Sequence, residues 1–442
     1  MKPSSRRQPR SPRSLTTARG AALYTGALLG PGLLLLPGLA AAQAGPASIL
    51  AWLALLGLSG LFAAVFSALG SRYPSAGGVM EYVAAGLGAR AGLAAGWSFL
   101  AAVVAGAPLV CLIGASYVTE LTGGGQLARA AVAAILLLIV LGLAAGGLRA
   151  SASAQLVLVS LLIGVIAVAI AGSGASARAA HWAPFAPHGW LSIGHAAATL
   201  MLSFVGWEAV APLTTRFANP SRQLPRVIAI ALAATTVLYL GLAITTISVL
   251  GPAAASTVPL VDLLRLAIGP AGTIAAAVAA VVLTLGTTNA YVTGAAAMAR
   301  QLTRSPAVGQ DQGPAPRFLA AIAAAGLLLI TLYGLRLIST ASLVAVPTAL
   351  FLSVYLGSMA AAARVLHGPA RWAAVPATLA VIVMLAYCGW SLAIPAIVAL
   401  AVSRPRAVRH DDGIPGARAR PRGLATRSFR QSFGEEICRG CG

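Results

Sequence analysis

Apolar runs long enough to cross a bilayer recur along almost the whole chain, and they restrict its fold more than any other feature. A hydrocarbon core about 30 Å thick needs roughly 20 apolar residues in a helix. Such runs fall at about 20–42, 49–69, 91–117, 128–148, 154–171, 190–213, 227–249, 270–298, 317–333, 339–363, 371–386 and 389–402, twelve in all. The last two share one stretch interrupted at Tyr387-Cys388-Gly389-Trp390, so a count of eleven or thirteen is also open. Lipid offers no partner to a free N–H or C=O, so spans of this kind are helices. The expected fold class is therefore all-α integral membrane with about twelve transmembrane helices. A shorter amphipathic piece, VDLLRLAIG before the eighth run, is expected to lie as an interfacial helix.

The net charge of +21 raises two possible partners, nucleic acid and the bilayer, and its distribution decides between them. With an even number of spans both termini share one side. That side holds six cations in the N-terminal tail, eleven in the connecting loops (Arg72, Arg90, Arg149, Arg216, Arg222, Arg226, Arg300, Arg304, Arg317, Arg364, Arg371) and nine in the C-terminal tail. The opposite side holds four: Arg129, Arg178, Arg265 and Arg336. This is the positive-inside pattern, which puts both termini in the cytoplasm and the protein in the cell membrane, multi-pass. The charge thus reports topology, and no nucleic-acid partner is needed to explain it.

The tails add little chemistry. Residues 1–19 form a basic cytoplasmic flank whose Arg6-Arg7 pair lacks the hydrophobic continuation and cleavage site of an export signal. Residues 403–442, rich in Arg, Gly and Pro, are expected to be disordered. Cys111 and Cys388 lie in apolar runs and serve as small hydrophobes. Cys438 and Cys441 form a single CxxC, half of what a closed zinc site needs. His181, His188 and His195 recur every seven residues near one loop, which is not a ligand cluster. No metal and no cofactor is expected.

The first run, GALLGPGLLLLPG (Gly26–Gly38), contains its own helix breaker at Gly30-Pro31-Gly32. A break at membrane depth is tolerated where backbone faces protein or a water-filled cavity. The half-helix after it directs free N–H groups and a positive dipole end at the midplane, where a carboxylate fits. Glycine lets a ligand approach without Cβ interference, and Pro31 suits the start of the second half-helix. The plain alternative is a Gly/Pro kink.

The sixth run contains MLSFVGWEAVAP (Met201–Pro212). Ser203 and Gly206 offer a second break there. Glu208 beside them is the only acidic residue near the middle of any run, and an intramembrane acid is a functional candidate by default. Its structural alternative is a carboxylate bonded to backbone that a neighbouring broken helix leaves free. Paired breaks five spans apart point to an inverted-repeat transporter.

With these stretches in view, the chain resembles the amino acid–polyamine–organocation permeases. GPGLLLLPG resembles their helix-one stretch, RYPSAGGVMEYV (Arg72–Val83) their loop between helices two and three, and SFVGWEAVAPLTTRFANPSRQLPRVI (Ser203–Ile228) their helix six and following loop. Within that superfamily the likeness is greatest to bacterial exporters of methionine and branched-chain amino acids. The resemblance implies a leucine-transporter-like fold: residues 20–402 form the permease domain, with inverted repeats over about 20–171 and 190–363 and peripheral helices over 371–402. It also implies substrate binding by Gly30, Pro31, Gly32, Ser203, Phe204, Val205 and Gly206. The substrate carboxylate would meet backbone at Gly30–Gly32, and its amino group would meet carbonyls near Ser203–Gly206. Phe204 would gate the ligand. Pro31 stands where relatives often carry Ser, Thr or Ala, so one possible N–H donor is missing.

Three functional classes follow. The favoured one is a secondary transporter of neutral apolar amino acids, an exporter working by proton antiport with Glu208 as coupling group. Ala27, Leu28, Ala105, Gly106, Phe204 and Val346 would face an aliphatic ligand. The second is an importer or exchanger of cationic amino acids or polyamines, with Glu208 pairing the ligand's charge. The third is a non-transporting membrane sensor. No HExxH, GxSxG or paired intramembrane aspartates mark the chain as an enzyme. Thr284, Thr287, Thr288 and Asn289 in helix eight occupy the region where sodium-coupled relatives use hydroxyls, and read foremost as packing polar residues. The expected partners are a small-molecule amino-acid substrate, protons as coupling ion and the lipid bilayer, and the oligomeric state is not fixed by the sequence.

Overall fold

The computed structural model describes residues 15–30, 32–73, 77–147, 152–208, 217–303 and 316–403. Pro31, most of both tails and the second half of the sixth run lie outside the described residues, as do Cys438 and Cys441. Of the two units into which the chain divides, Met1–Arg404 and Pro405–Gly442, only the first is described.

The described chain is helical, with an isolated bridge between Leu15 and Phe217 as its extended pairing. Fifteen α-helices follow one another: α1 Thr17–Leu28, α2 Gly32–Ala44, α3 Ser48–Arg72, α4 Val79–Leu87, α5 Ala89–Thr122, α6 Gln126–Ala145, α7 Ala152–Ser173, α8 Ser192–Leu200, α9 Pro220–Thr245, α10 Pro259–Ile268, α11 Pro270–Thr303, α12 Pro316–Gly334, α13 Thr340–Val365, α14 Pro369–Ala386 and α15 Ala393–Ser403. Among the described residues, nine stretches are long and apolar enough to cross a membrane, one of them the 41-residue Gly32–Arg72 that joins α2 to α3. Shorter apolar helices lie over Ser192–Phe204 and Gly389–Val402. This is a multi-pass membrane protein.

Local sequence explains where helices start and stop. Five of them begin at a proline, Pro220, Pro259, Pro270, Pro316 and Pro369, where the missing N–H is an orphan in any case. Ser339 caps α13 by accepting the Ser342 N–H at 3.2 Å. The interruption at Tyr387–Trp390 is present, a short 3₁₀ turn over Gly389–Leu392 separating α14 from α15. The VDLLRLAIG piece forms α10, which buries Leu260, Val261, Leu263 and Leu264 and exposes Leu266 and Ile268.

The bundle is organised around α5, which packs against α4, α6, α11 and α13. Small residues allow the approach: a Cβ on Gly114 would lie 2.5 Å from the Thr284 hydroxyl, so the Thr284 side chain of α11 fills the place a side chain on α5 would take. Packing rather than hydrophobic exclusion drives association between helices in lipid, which favours such small-residue seams. On the other side α1 packs against α7 and α9, and α2 against α8. These contacts bring the two interrupted segments together.

Candidate functional site

The first interruption follows the sequence closely. α1 ends at Leu28, and Leu29 leaves helical geometry with ψ of 53° while its N–H still reaches the Thr25 carbonyl at 2.7 Å. α2 resumes at Gly32. The Leu33 N–H donates to the Gly30 carbonyl at 3.1 Å. The first-turn N–H groups of α2 have no acceptor inside their own helix. Pro31, between them, lies outside the described residues.

The second interruption is sharper. α8 tightens into a 3₁₀ turn over Met201–Phe204, Val205 is extended, and Gly206 takes φ of +148°. That angle favours glycine over any residue with a side chain. A Cβ on Gly206 would lie 2.8 Å from the Ala27 carbonyl oxygen. The two broken segments therefore touch, backbone to backbone. Tyr239 from α9 joins them: its buried hydroxyl is 2.6 Å from the Leu28 carbonyl and 2.7 Å from the Ser203 carbonyl. It carries one proton, so it donates to one of these carbonyls at a time.

A cavity opens at this junction. Its wall includes Ala27, Leu28, Gly30 and Gly32 from the first break, and Leu202, Ser203 and Val205 from the second. α5 contributes Val103, Gly106, Ala107 and Val110, α11 contributes Thr287, Thr288 and Tyr291, and α13 contributes Phe351. About 660 Å³ of space free of atoms lies within its outline, open solvent included. Among the described residues the lining has no charged side chain.

Of the residues singled out from sequence, Gly30, Gly32, Ser203 and Val205 meet on the wall, with Ala27, Leu28 and Gly106. Phe204, Gly206, Glu208, Ala105 and Val346 do not line it. Phe204 is fully buried in an aromatic cluster, its ring 6.0 Å from Trp52 and 5.3 Å from Tyr239. The large aromatic side chains on the wall are instead Tyr291 and Phe351.

Glu208 is buried behind the wall. Its Oε2 accepts the Gly206 N–H at 2.9 Å and the Tyr355 hydroxyl at 2.6 Å. Tyr355 also lies 3.3 Å from the Phe204 carbonyl, so α13 grips both ends of the second break. Glu208 Oε1 has no partner in full hydrogen-bond geometry among the described residues. The Tyr291 hydroxyl faces the carboxylate from α11. Tyr291 thus stands between the carboxylate and the cavity. Sequence reasoning missed Tyr291, Tyr355 and Tyr239; each is a lone aromatic in an apolar run, and its partner lies tens to hundreds of residues away.

Comparison with known proteins identifies a family. A family model described as amino acid permease matches residues 15–308. An uncharacterized amino acid permease of Bacillus subtilis, YecA, is 31% identical over 403 residues, 89% of this chain and 95% of that protein. The L-methionine/branched-chain amino acid exporter YjeH of Escherichia coli is 29% identical over 365 residues, covering 80% of this chain and 86% of its own. An uncharacterized transporter of Mycobacterium tuberculosis is 30% identical over 291 residues, 64% of this chain and 62% of its own.

Proposed function

Because the chain belongs to the amino acid permease family, and is thus a transporter rather than an enzyme, we propose that it carries neutral apolar amino acids such as methionine and leucine. In this proposal it works as an exporter by proton antiport with alternating access. One observation carries the choice of substrate: among the described residues, the cavity at the paired breaks is lined by apolar side chains, hydroxyls and backbone, with no charge. A neutral zwitterion matches such a site. Its carboxylate would meet the first turn of α2 near Gly30 and Gly32, where N–H groups with no acceptor in their own helix and the helix dipole favour an anion. Its ammonium would meet the carbonyls that Tyr239 now bridges, and its side chain would lie among Val103, Ala107, Val110 and Phe351.

Glu208 is the proposed coupling group. It is separated from the ligand space by Tyr291, so protonation and substrate occupancy would be linked through that hydroxyl and through Tyr355. Phe204, packed between Trp52 and Tyr239, would act on the ligand by moving with the second break rather than by touching it here. The cationic-substrate alternative is less well supported, since the one nearby acid lies behind the wall. The fold proposed with this mechanism has twelve spans: α1 with α2, α8 with the segment after it, and α14 and α15 as the two peripheral spans each count within that number. The first ten form two inverted repeats, and both termini face the cytoplasm of the cell membrane.

Counterflow in proteoliposomes tests the proposal. Vesicles loaded with unlabelled leucine should accumulate labelled leucine, methionine should compete, and an imposed pH gradient should drive net leucine movement. Accumulation of arginine in place of leucine would favour the cationic alternative. Counterflow that ignores the pH gradient would remove proton antiport.

A further inference from the structure

Three hydroxyls around the first break lack the partner that a buried hydroxyl ordinarily has. Ser203, Thr287 and Thr288 all line the cavity. They are 3%, 6% and 3% exposed, and none of their hydroxyl oxygens has a hydrogen-bond partner among the described residues. Threonine in a helix can bond back to the carbonyl four residues earlier. Thr293, Thr331 and Thr348 do so here, to Asn289, Leu327 and Val344. Leaving a buried hydroxyl unpaired costs free energy, so an unpaired group on a cavity wall is an argument for a ligand. Thr235, Thr246 and Thr284 are also buried and unpaired but are not on the wall, Thr284 sitting at the seam with Gly114 of α5.

Position narrows the ligand group. The Thr287 methyl lies 3.9 Å from where a Cβ on Gly30 would be, and the Ser203 hydroxyl lies 3.2 Å from where a Cβ on Gly32 would be. The Thr287 side chain, through its methyl, therefore borders Gly30, the Ser203 hydroxyl borders Gly32, and Thr288 shares the same wall. Proline has no N–H, so the strongest donor array of this break is one donor short. We infer that the hydroxyls of Thr287 and Thr288 supply hydrogen bonds to the substrate's carboxylate in place of the N–H that Pro31 lacks. This rests on the amino-acid transport proposed above and adds a carboxylate-specificity role for α11. A hydroxyl donating to a carboxylate is a charge-assisted bond and among the stronger ones available.

The test is equilibrium binding of tritiated L-leucine to the purified full-length protein, with L-leucinamide as a competitor that lacks the carboxylate. Thr287→Val and Thr288→Val are each expected to weaken leucine binding about tenfold, the effect of losing one hydrogen bond to a charged group. Leucinamide inhibition should change by less than about twofold, because the lost bond goes to the carboxylate alone. Thr287→Ser should retain leucine affinity, and adding Pro31→Ala to Thr287→Val should restore part of it by returning an N–H. Equal loss for leucine and leucinamide would make the threonines structural and overturn the inference. So would unchanged leucine affinity in both valine variants. A wild-type protein that loses leucine affinity when sodium is replaced by choline, with the valine variants insensitive to that exchange, would assign the hydroxyls to a cation instead. If wild type binds arginine and not leucine, the neutral-substrate reading fails, and the same comparison is made with arginine and argininamide. Binding of no amino acid at all overturns both.

Discussion

Gly206→Ala tests whether the two broken helices form one unit. Gly206 has φ of +148°, and an alanine Cβ there would sit 2.8 Å from the Ala27 carbonyl oxygen, 3.0 Å from its carbon and 3.2 Å from the Leu28 nitrogen. All three atoms are backbone, so no side chain can swing away. The dihedral strain costs on the order of 1–3 kcal/mol. Overpacking against a fixed neighbour adds about 1–3 kcal/mol. Together these exceed the roughly 1.4 kcal/mol that changes an equilibrium tenfold, so the paired-break arrangement should be depopulated at least that much. Gly57→Ala is the control, since a Cβ there meets nothing within 4 Å; alanine for glycine in an open helical site is neutral or stabilising by about 0.4–1 kcal/mol. The assay is thermal melting in detergent beside leucine counterflow in proteoliposomes. Gly206→Ala should lower both the melting temperature and the counterflow rate, and Gly57→Ala should lower neither. Wild-type melting and transport in Gly206→Ala would refute the contact between the two breaks.

Three further outcomes follow from the same geometry. Gly32→Val should abolish leucine binding while membrane insertion stays normal, because even a Cβ would meet the Ser203 hydroxyl and a Leu36 methyl at 3.2 Å; retained affinity would return Gly30-Pro31-Gly32 to a simple kink. Glu208→Gln should keep leucine binding but flatten the pH dependence of counterflow, since the amide preserves size and hydrogen bonding and cannot titrate; a wild-type pH profile would place the coupling group elsewhere. Tyr355→Phe removes the 2.6 Å bond to Glu208 while keeping the ring contacts with Phe62 and Phe66. It should destabilise the protein by about 1–3 kcal/mol, the cost of a buried acceptor losing its donor, and an unchanged melting temperature would contradict that.

The helices and both breaks were legible in the sequence because lipid enforces them. An apolar run has one permitted backbone form, and Gly30-Pro31-Gly32 or Gly206 violates it visibly. Glu208 was legible for the same reason, as the single acid in an apolar setting. The cavity wall was not. Val103, Ala107 and Val110 on α5 have the same composition as residues that face lipid, and only packing against α11 and α13 turns them inward. Helix-eight threonines read as ordinary packing residues, because the sequence does not say whether a hydroxyl finds its i−4 carbonyl. The aromatic expected over the ligand, Phe204, packs on Trp52 and Tyr239, and Phe351 lies on the wall. The partners of Glu208 on α11 and α13 are long-range contacts with no local signal.

The substrate's position at the paired breaks is tested most directly by co-crystals with L-selenomethionine and data collected at the selenium edge. The selenium peak is expected in the cavity beside Val103, Ala107, Val110 and Phe351, with carboxylate density at Gly30, Gly32 and Thr287. A selenium peak anywhere else, such as the outer recess lined by Gln126 and Arg336, with the cavity empty, would contradict it.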